Sequence, residues 1–308
     1  MRVIVTGAAG FVGSALVRRL QGACDVLATD VRLGGMAGVE GDLTDPSLLA
    51  HLFAESCDAV VHLASVPGGA AEQDPELAKR VNIDATMALV NAAACSGTIP
   101  RFVFASSIAV FGTALPRIVD DRTPVAPTMV YGAHKAMAEE WIATMTRRGA
   151  ISGLALRVPG VVARAPGSSG LKSAFMSDLF SGLMARQQSV VPVTRGATVW
   201  VMSALRLADN LAHALQVDAV GSITLPALRV SIAELVAAIC DHAGAEQDLV
   251  RYAPDPEMEA AFGQLPLLKT PCAKRLGFSH DGNVSRLVHA AFAGLRTNFE
   301  NHDGGKSQ

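Results

Sequence analysis

The start of the chain combines a short apolar strand, a glycine-rich turn and a helix. Val3–Thr6 is typical of a strand and Phe11–Leu20 of a helix, with Gly7, Gly10 and Gly13 in GxxGxxG spacing. Glycines at this spacing permit a tight turn and close packing of the helix on the strand. The free N–H groups and the positive dipole at the helix start then face a bound phosphate. This segment predicts a parallel α/β fold that binds a dinucleotide. The expected contacts come from Gly7, Ala9, Gly10, Phe11 and Val12.

Apolar strand segments alternate with helical segments along the first half of the chain. Continuous apolar strands separated by helices are typical of a parallel sheet covered on both faces. We therefore predict a doubly wound α/β (Rossmann) fold with a smaller C-terminal α/β lobe that binds the substrate. The expected domains are 1–164, with the dinucleotide and the catalytic residues, and 165–300, some of whose elements return to the first sheet. Residues 301–308 are expected to form a disordered tail.

Three local features are also predicted. A long helix is expected from about Pro75 to Ala94. Asp45 is expected to cap another helix, with Pro46 in its first turn. Ala165–Gly170 is rich in glycine, proline and serine, which indicates a loop.

Composition and charge argue against several classes of protein. The net charge of −2 over 308 residues leaves no basic surface for nucleic acid. Half of the residues are hydrophobic, yet no apolar run reaches the roughly 18 residues of a membrane span. The five cysteines are widely spaced without a CxxC pair, which indicates reduced thiols in a cytoplasmic protein. The eight histidines are scattered, so no metal site is expected.

An acidic residue ends the second predicted strand. A carboxylate at the position of Asp30 accepts hydrogen bonds from the adenosine ribose and repels a 2′-phosphate, which favours NAD over NADP. Arg32, two residues further on, weakens that preference. Asp42 and Leu43 follow a turn and are expected to contact the adenine, with a simple turn acid as the alternative for Asp42.

Tyr131 and Lys135 form a YxxxK pair in a chain that has only two tyrosines. Residues four apart share one face of a helix. The ammonium of Lys135 favours the phenolate of Tyr131 and lowers its pKa from about 10, which provides a general base near neutral pH. Ser107 ends the fourth strand, where open α/β sheets bind ligands, and is expected to hold the reacting alcohol or carbonyl. The alternatives are an incidental pair at a helix start and a serine that caps a turn.

Together these motifs resemble the extended short-chain dehydrogenase/reductase family along nearly the whole chain. The matching segments include TGAAGFVG at 6–13, HLAS at 62–65, SSIAVFG at 106–112, YGAHK at 131–135 and LRVP at 156–159.

This resemblance implies NAD as the cofactor and Ser107, Tyr131 and Lys135 as catalytic residues. It also implies that Lys135 bonds the nicotinamide ribose. Family members commonly form homodimers through the helices that correspond here to about 75–94 and 131–148. The further cofactor-binding positions are Leu63, Ala64, Ser65, Asn82, Tyr131 and Pro159.

Two departures separate the chain from the family members that act on nucleotide-diphosphate sugars. Gly160 stands where that subfamily has an asparagine, and Thr198 stands where an arginine for the diphosphate is expected. The segments HLASVPGGAAE at 62–72 and WVMS at 200–203 instead resemble the D-erythronate dehydrogenase branch. This resemblance implies NAD-dependent oxidation of C2 of a four-carbon sugar acid to the 2-oxo acid.

A sugar-acid substrate requires a partner for its carboxylate. Arg164 is the first candidate because a guanidinium matches a carboxylate with two parallel hydrogen bonds; a surface salt bridge is the alternative. Trp200 is expected to cap the pocket, with a place in the core as the alternative. The other residues expected at the substrate are Ser65, Gly68, Gly69, Ser107 and Tyr131.

Two other functions remain open. A nucleotide-diphosphate-sugar epimerase or dehydratase with tightly bound NAD has the same fold and catalytic residues but produces no net NADH. A non-catalytic NAD-binding sensor also uses this fold, although a sensor has no need for the proton acceptor that Tyr131 provides.

Overall fold

The computed structural model describes residues 1–164 and 174–303, with side chains as far as Leu295. These residues divide into two compact units. The first unit comprises 1–112, 124–158 and 208–224, and the second comprises 113–123, 159–207 and the chain from 225 onwards. This division differs from the predicted boundary at residue 164, because separate stretches of the chain contribute to each unit. The predicted loop 165–170 and the last residues of the predicted tail, 304–308, lie outside the described residues.

The strands and helices are numbered here in chain order. The strands are β1 Arg2–Thr6, β2 Asp25–Asp30, β3 Val39–Glu40, β4 Ala59–His62, β5 Arg101–Ser107, β6 Ile118–Val119, β7 Ser152–Val158, β8 Gly160–Val162, β9 Ser189–Val191, β10 Thr198–Ser203, β11 Gly221–Thr224, β12 Leu228–Ser231, β13 Val250–Tyr252 and β14 Leu267–Leu268. The helices are α1 Phe11–Leu20, α2 Pro46–Leu52, α3 Gly68–Gln73, α4 Pro75–Lys79, α5 Ala85–Ala94, α6 Val130–Arg147, α7 Phe175–Met184, α8 Ala204–Ala214, α9 Ile232–Ala243, α10 Pro256–Phe262, α11 Pro271–Arg275 and α12 Val284–Asp303.

The first unit contains a seven-stranded sheet with the order β11-β7-β5-β4-β1-β2-β3. All neighbouring strands in it are parallel. The chain moves outward from β1 in one direction through β2 and β3, and in the other direction through β4, β5 and β7. This reversal at β1 defines a doubly wound sheet, so the predicted fold class is confirmed.

The local predictions have different outcomes for the cap of α2 and for the long helix. Asp45 accepts a hydrogen bond from the Ser47 N–H at 2.8 Å and caps α2, as predicted. The helix predicted from Pro75 to Ala94 is interrupted, because the π-helical segment Arg80–Asp84 separates α4 from α5. Inserted π-helical turns frequently mark functional sites. Helix α3 was not predicted, since it begins with two glycines, which have low helix propensity.

The second unit, in its described residues, contains three small sheets. Their orders are β12-β10-β8, β13-β9 and β14-β6. Its apolar core includes Phe180 of α7, Ile239 of α9 and Phe292 of α12. The rings of Phe180 and Phe292 lie 5.4 Å apart, in a tilted arrangement. Helix α12 continues to Asp303, so it extends into the segment that was expected to be a disordered tail.

Three general features of the described residues bear on function. No helix among them has both the length and the apolar character needed to cross a membrane. The five cysteines are all free thiols. Within the same residues, no cluster of three or more His, Cys, Asp or Glu side chains is placed to hold a metal ion.

His62 connects three elements of the first unit. Its Nδ1 lies 2.7 Å from Thr6 Oγ1 of β1, and its Nε2 lies 2.8 Å from Thr86 Oγ1 of α5. The imidazole also stacks on Phe104 of β5 with the ring centroids 5.7 Å apart. Complete burial, with a smaller effect of the Lys135 charge, lowers the pKa of His62 to about 3. The ring is therefore neutral near pH 7 and serves as a structural link.

The free energy of unfolding is expected to fall as the pH decreases from about 6.5 towards 3. In this range the unfolded chain binds a proton at His62 that the folded chain does not bind, so acid favours the unfolded state. His62→Gln should reduce the slope by about 1.4 kcal/mol per pH unit, the value for one proton. Urea titrations at several pH values measure this slope. An unchanged slope in His62→Gln would contradict the prediction.

Candidate active site

The glycine-rich turn after β1 depends on two very close backbone approaches. Gly7 has φ +66°, and a Cβ at this position would lie 2.6 Å from the Ala64 backbone N. A Cβ on Gly13 would lie 2.0 Å from the Gly7 carbonyl oxygen. Gly10 precedes α1 and provides no side-chain cap, so the first N–H groups of the helix have no side-chain acceptor from it. This geometry suits a phosphate at the helix start.

Asp30 ends β2 beside this turn. Its Oδ2 accepts a hydrogen bond from the Ala9 N–H at 3.0 Å, and its Oδ1 accepts one from the Val31 N–H at 2.7 Å. The carboxylate is therefore held next to the glycine-rich turn. Arg32 is exposed. Phe11 and Val12 follow the turn as the first residues of α1 and are half-buried.

Asp42 and Leu43 follow β3 and both have structural contacts. Oδ1 of Asp42 accepts a hydrogen bond from the Thr44 N–H at 2.8 Å, as the side chain of an aspartate does in an Asx turn. The Leu43 side chain is buried in the core of the first unit. Their expected contact with adenine stays a prediction.

The segment after β4 is fixed by Asn82, which lies in the π-helical segment. Asn82 Oδ1 accepts hydrogen bonds from the Val66 N–H at 2.8 Å and the Ser65 hydroxyl at 3.1 Å. Its Nδ2 donates to the Val66 carbonyl at 3.0 Å. Directly after β4, the N–H groups of Leu63 and Ala64 donate to Thr6 Oγ1. Asn82 therefore fixes the backbone at Ser65 and Val66, directly after Ala64, whose backbone N approaches Gly7.

Gly68 and Gly69 form the start of α3, after Pro67. Gly68 is buried and Gly69 is half-buried. Helix α3 also supplies Glu72, whose Oε1 accepts the Val130 N–H at 2.7 Å and so holds the first turn of α6. A substrate contact at Gly68 and Gly69 stays a prediction.

Tyr131, Lys135 and Ser107 come from two elements of the first unit, α6 and the end of β5. Lys135 is buried, and its Nζ donates a hydrogen bond to the Ala105 carbonyl at 2.8 Å. The same Nζ lies 5.5 Å from the centroid of the Tyr131 ring and 4.6 Å from that of Phe104. Ser107 Oγ accepts a hydrogen bond from the Ala109 N–H at 3.1 Å, so the hydroxyl proton remains for a second partner.

Burial determines the electrostatics of Lys135. Desolvation lowers the pKa of Lys135 to about 7, and the negative charge of Glu139 acts in the opposite direction. The ammonium is therefore poised near neutral pH beside the Tyr131 ring. An ammonium in this place favours the phenolate over the phenol, as a general base requires.

A buried polar network that the sequence does not predict lies one helical turn beyond Lys135. Glu139 of α6 accepts a hydrogen bond from the Ser106 hydroxyl at 2.5 Å and pairs with Arg157 of β7 at 2.7 Å. Ser106 and Arg157 are directly opposite each other on β5 and β7. The i, i+4 spacing of Lys135 and Glu139 was visible in the sequence, but the burial of the carboxylate was not.

Three of the predicted site residues belong to the second unit. Pro159 joins β7 to β8, and Arg164 follows β8 by two residues; their expected roles stay predictions. Trp200 is only 2% exposed, and its indole N–H donates to the Pro266 carbonyl at 2.8 Å. The expectation that Trp200 caps a pocket stays a prediction, and the burial of the side chain favours the alternative of a place in the core.

A doubly wound sheet with a glycine-rich turn, an acid at the end of β2 and a Tyr–Lys pair defines a dinucleotide-dependent enzyme. Residues 3–200 match the model of the NAD dependent epimerase/dehydratase family. The chain belongs to this family, as the sequence motifs predicted. The expected cofactor NAD is confirmed with it, and so is an oxidoreductase that acts on a CH–OH group.

Curated relatives and a solved structure resemble the chain over nearly its whole length. It is 30% identical to the D-erythronate dehydrogenase of Cupriavidus necator, with 94% of this chain and 97% of that protein covered. It is 28% identical to the D-erythronate dehydrogenase of Haemophilus influenzae, with 94% and 98% covered. The crystal structure of a nucleoside-diphosphate-sugar epimerase from Agrobacterium tumefaciens is 27% identical, with a TM-score of 0.84 and 99% and 95% covered.

Proposed function

We propose that the protein is an NAD-dependent dehydrogenase that oxidises C2 of D-erythronate, or of a closely related small sugar acid, to the 2-oxo acid. The observation that carries the chemistry is the buried ammonium of Lys135, 5.5 Å from the Tyr131 ring. The substrate is supported by two D-erythronate dehydrogenases that match 94% of the chain.

The residues of the first unit fit NAD. The glycine-rich turn leaves no space for a Cβ at Gly7 or Gly13, and it leads directly into the start of α1, where the helix dipole favours a phosphate. The carboxylate of Asp30, already held by the Ala9 N–H, would accept the adenosine ribose hydroxyls. Bound NAD would supply the hydride acceptor.

The proposed proton transfer uses three side chains of this chain. The Ser107 hydroxyl donates a hydrogen bond to the reacting oxygen and orients it. Tyr131, as the phenolate, accepts the proton of the C2 hydroxyl. Lys135 stabilises that phenolate by its charge, and its bond to the Ala105 carbonyl fixes the ammonium in place.

Two positions in the second unit support a small substrate rather than a nucleotide sugar. A Cβ on Gly160 would lie 3.0 Å from the Trp200 carbonyl oxygen, so an asparagine there would fit only after a small local adjustment. The Thr198 hydroxyl donates to the Leu265 carbonyl at 2.9 Å and is used within the unit. Neither position offers the side chain that sugar-nucleotide members place there.

The experiment is NADH formation with NAD and a panel of four- to six-carbon sugar acids, with UDP-sugars assayed alongside. We expect turnover with D-erythronate or a close relative, and none with the UDP-sugars. Tyr131→Phe in the same panel controls for contaminating dehydrogenases. An isomerised UDP-sugar without net NADH would replace the proposal with the epimerase alternative. Tight NAD binding without any turnover would favour the sensor.

The proposal includes a cytoplasmic location, which suits five free thiols. It also includes a homodimer through the helices at about 75–94 and 131–148. Light scattering should then give about twice the chain mass of 32.0 kDa.

A further inference from the structure

The buried carboxylate of Glu139 lies one helical turn beyond Lys135 on α6. It has no part in the proposed proton transfer. The Glu139 side chain is 7% exposed, and that of its partner Arg157 is 13% exposed. Arg157 Nε donates to Glu139 Oε1 at 3.0 Å, and Arg157 Nη2 donates to Oε2 at 2.7 Å. The Ser106 hydroxyl completes the coordination of Oε1. Both carboxylate oxygens are therefore held by protein groups rather than left for a substrate.

This carboxylate is connected to the site from two directions. Along α6, Tyr131, Lys135 and Glu139 follow one another at intervals of four residues, which places them on one face of the helix. Along β5, Ser106 precedes Ser107 directly, so a bond to the Ser106 hydroxyl also fixes the strand end that carries Ser107.

The charges around Lys135 make Glu139 its counter-charge. Tyr131 and Glu139 face it from α6, and His62 lies close to it on β4 but is held neutral by burial. Arg157, on β7, is paired with Glu139. Burial lowers the pKa of Lys135, and Glu139 raises it. Loss of the Glu139 charge would therefore favour neutral Lys135, which no longer stabilises a phenolate.

We propose that Glu139 is a positioning residue of the active site: its charge keeps Lys135 protonated beside Tyr131, and its bond to Ser106 fixes the strand end that carries Ser107. This inference rests on the proposed roles of these side chains in the dehydrogenase reaction. It assigns to Glu139 no contact with substrate or cofactor.

The test uses the small number of tyrosines. Tyr252 is the only other tyrosine, so in a Tyr252→Phe background the pH titration of tyrosinate absorbance reports Tyr131 alone. Glu139→Gln, which keeps the shape and removes the charge, should move the ionisation of Tyr131 to higher pH by about one unit. The rising limb of the kcat profile should move with it, so that the loss is about tenfold near pH 7 and smaller at high pH.

The control is Glu140→Gln, one residue further along the same helix. Glu140 is exposed and pairs with Arg147 at 2.6 Å, so its replacement should leave both titrations unchanged. A Glu139 variant whose tyrosinate titration and kcat profile coincide with those of the parent would overturn the proposal. So would a loss of activity that is the same at every pH, since a merely structural role predicts that result.

A second variant covers the case in which Glu139→Gln does not fold. Removing one partner of a buried ion pair is strongly destabilising, whereas removing both is often close to neutral. Glu139→Gln with Arg157→Met should therefore unfold near the parent temperature and still show the shifted tyrosinate titration; an unshifted titration in it overturns the proposal. The titration needs no substrate, so a failure of the proposed function, with all sugar acids inert, remains distinguishable from a failure of this inference.

Discussion

Tyr131→Phe is expected to lower kcat by about 10²–10⁴-fold, the usual contribution of a positioned acid or base. The substitution removes the phenol oxygen and keeps the ring, which lies 5.5 Å from Lys135 Nζ. The packing of Lys135 on the rings of Tyr131 and Phe104 is therefore retained. Because the phenol is proposed to accept a proton and not to hold the dinucleotide tightly, the Kd for NAD should stay near the wild-type value.

The measurement combines steady-state NADH formation with calorimetric titration of NAD. Tyr252→Phe is the matched control, because it removes the same oxygen from the other tyrosine, which lies in β13 of the second unit. A Tyr131→Phe enzyme that retained full kcat would eliminate the proposed proton transfer. A large rise of its Kd for NAD would instead point to a cofactor-binding role.

Gly13→Ala is expected to have the second large effect, on cofactor binding. The added Cβ would lie 2.0 Å from the Gly7 carbonyl oxygen and 2.8 Å from the Ala8 Cα, so α1 or the turn must move. Overpacking of this kind typically costs about 1–3 kcal/mol. At the upper end, a displaced turn would raise the Kd for NAD about 100-fold. The melting temperature should fall as well.

Gly196→Ala provides the control for adding a methyl group at a glycine. No heavy atom lies within 4 Å of a Cβ at Gly196, and its φ is outside the left-handed region. Titration of NAD into both variants decides the outcome. A Gly13→Ala protein with wild-type affinity for NAD would show that the dinucleotide does not depend on this turn.

The parts that the sequence predicts well are those governed by local rules. Phe11–Leu20 is a helix with the bounds expected, because glycine spacing and apolar periodicity both act over a few residues. Asp45 caps α2 for the same reason. The family resemblance adds to these local rules, since it identifies Tyr131, Lys135 and Ser107 as candidate catalytic residues before any geometry is known.

The parts that the sequence does not predict depend on contacts between distant segments. The π-helical turn at Arg80–Asp84 places Asn82 against Ser65 and Val66, and no local pattern marks it. The buried indole N–H of Trp200 finds its acceptor in the Pro266 carbonyl, 66 residues away. The sequence predicts that some later elements return to the first sheet, but not that β11 pairs with β7 at its edge.

The arrangement of the first unit bears on how such an enzyme changes its substrate. The proposed acid–base residues, Ser107, Tyr131 and Lys135, lie together with their buried support, Glu139, within segments that the second unit does not share. The segment 159–207, which carries Arg164 and the two departures from sugar-nucleotide members, lies outside that unit. With the roles proposed above, the residues that recognise the substrate can change while the proton-transfer residues of the first unit stay the same. One ancestral fold can in this way give rise both to proteins named as epimerases and to proteins named as dehydrogenases.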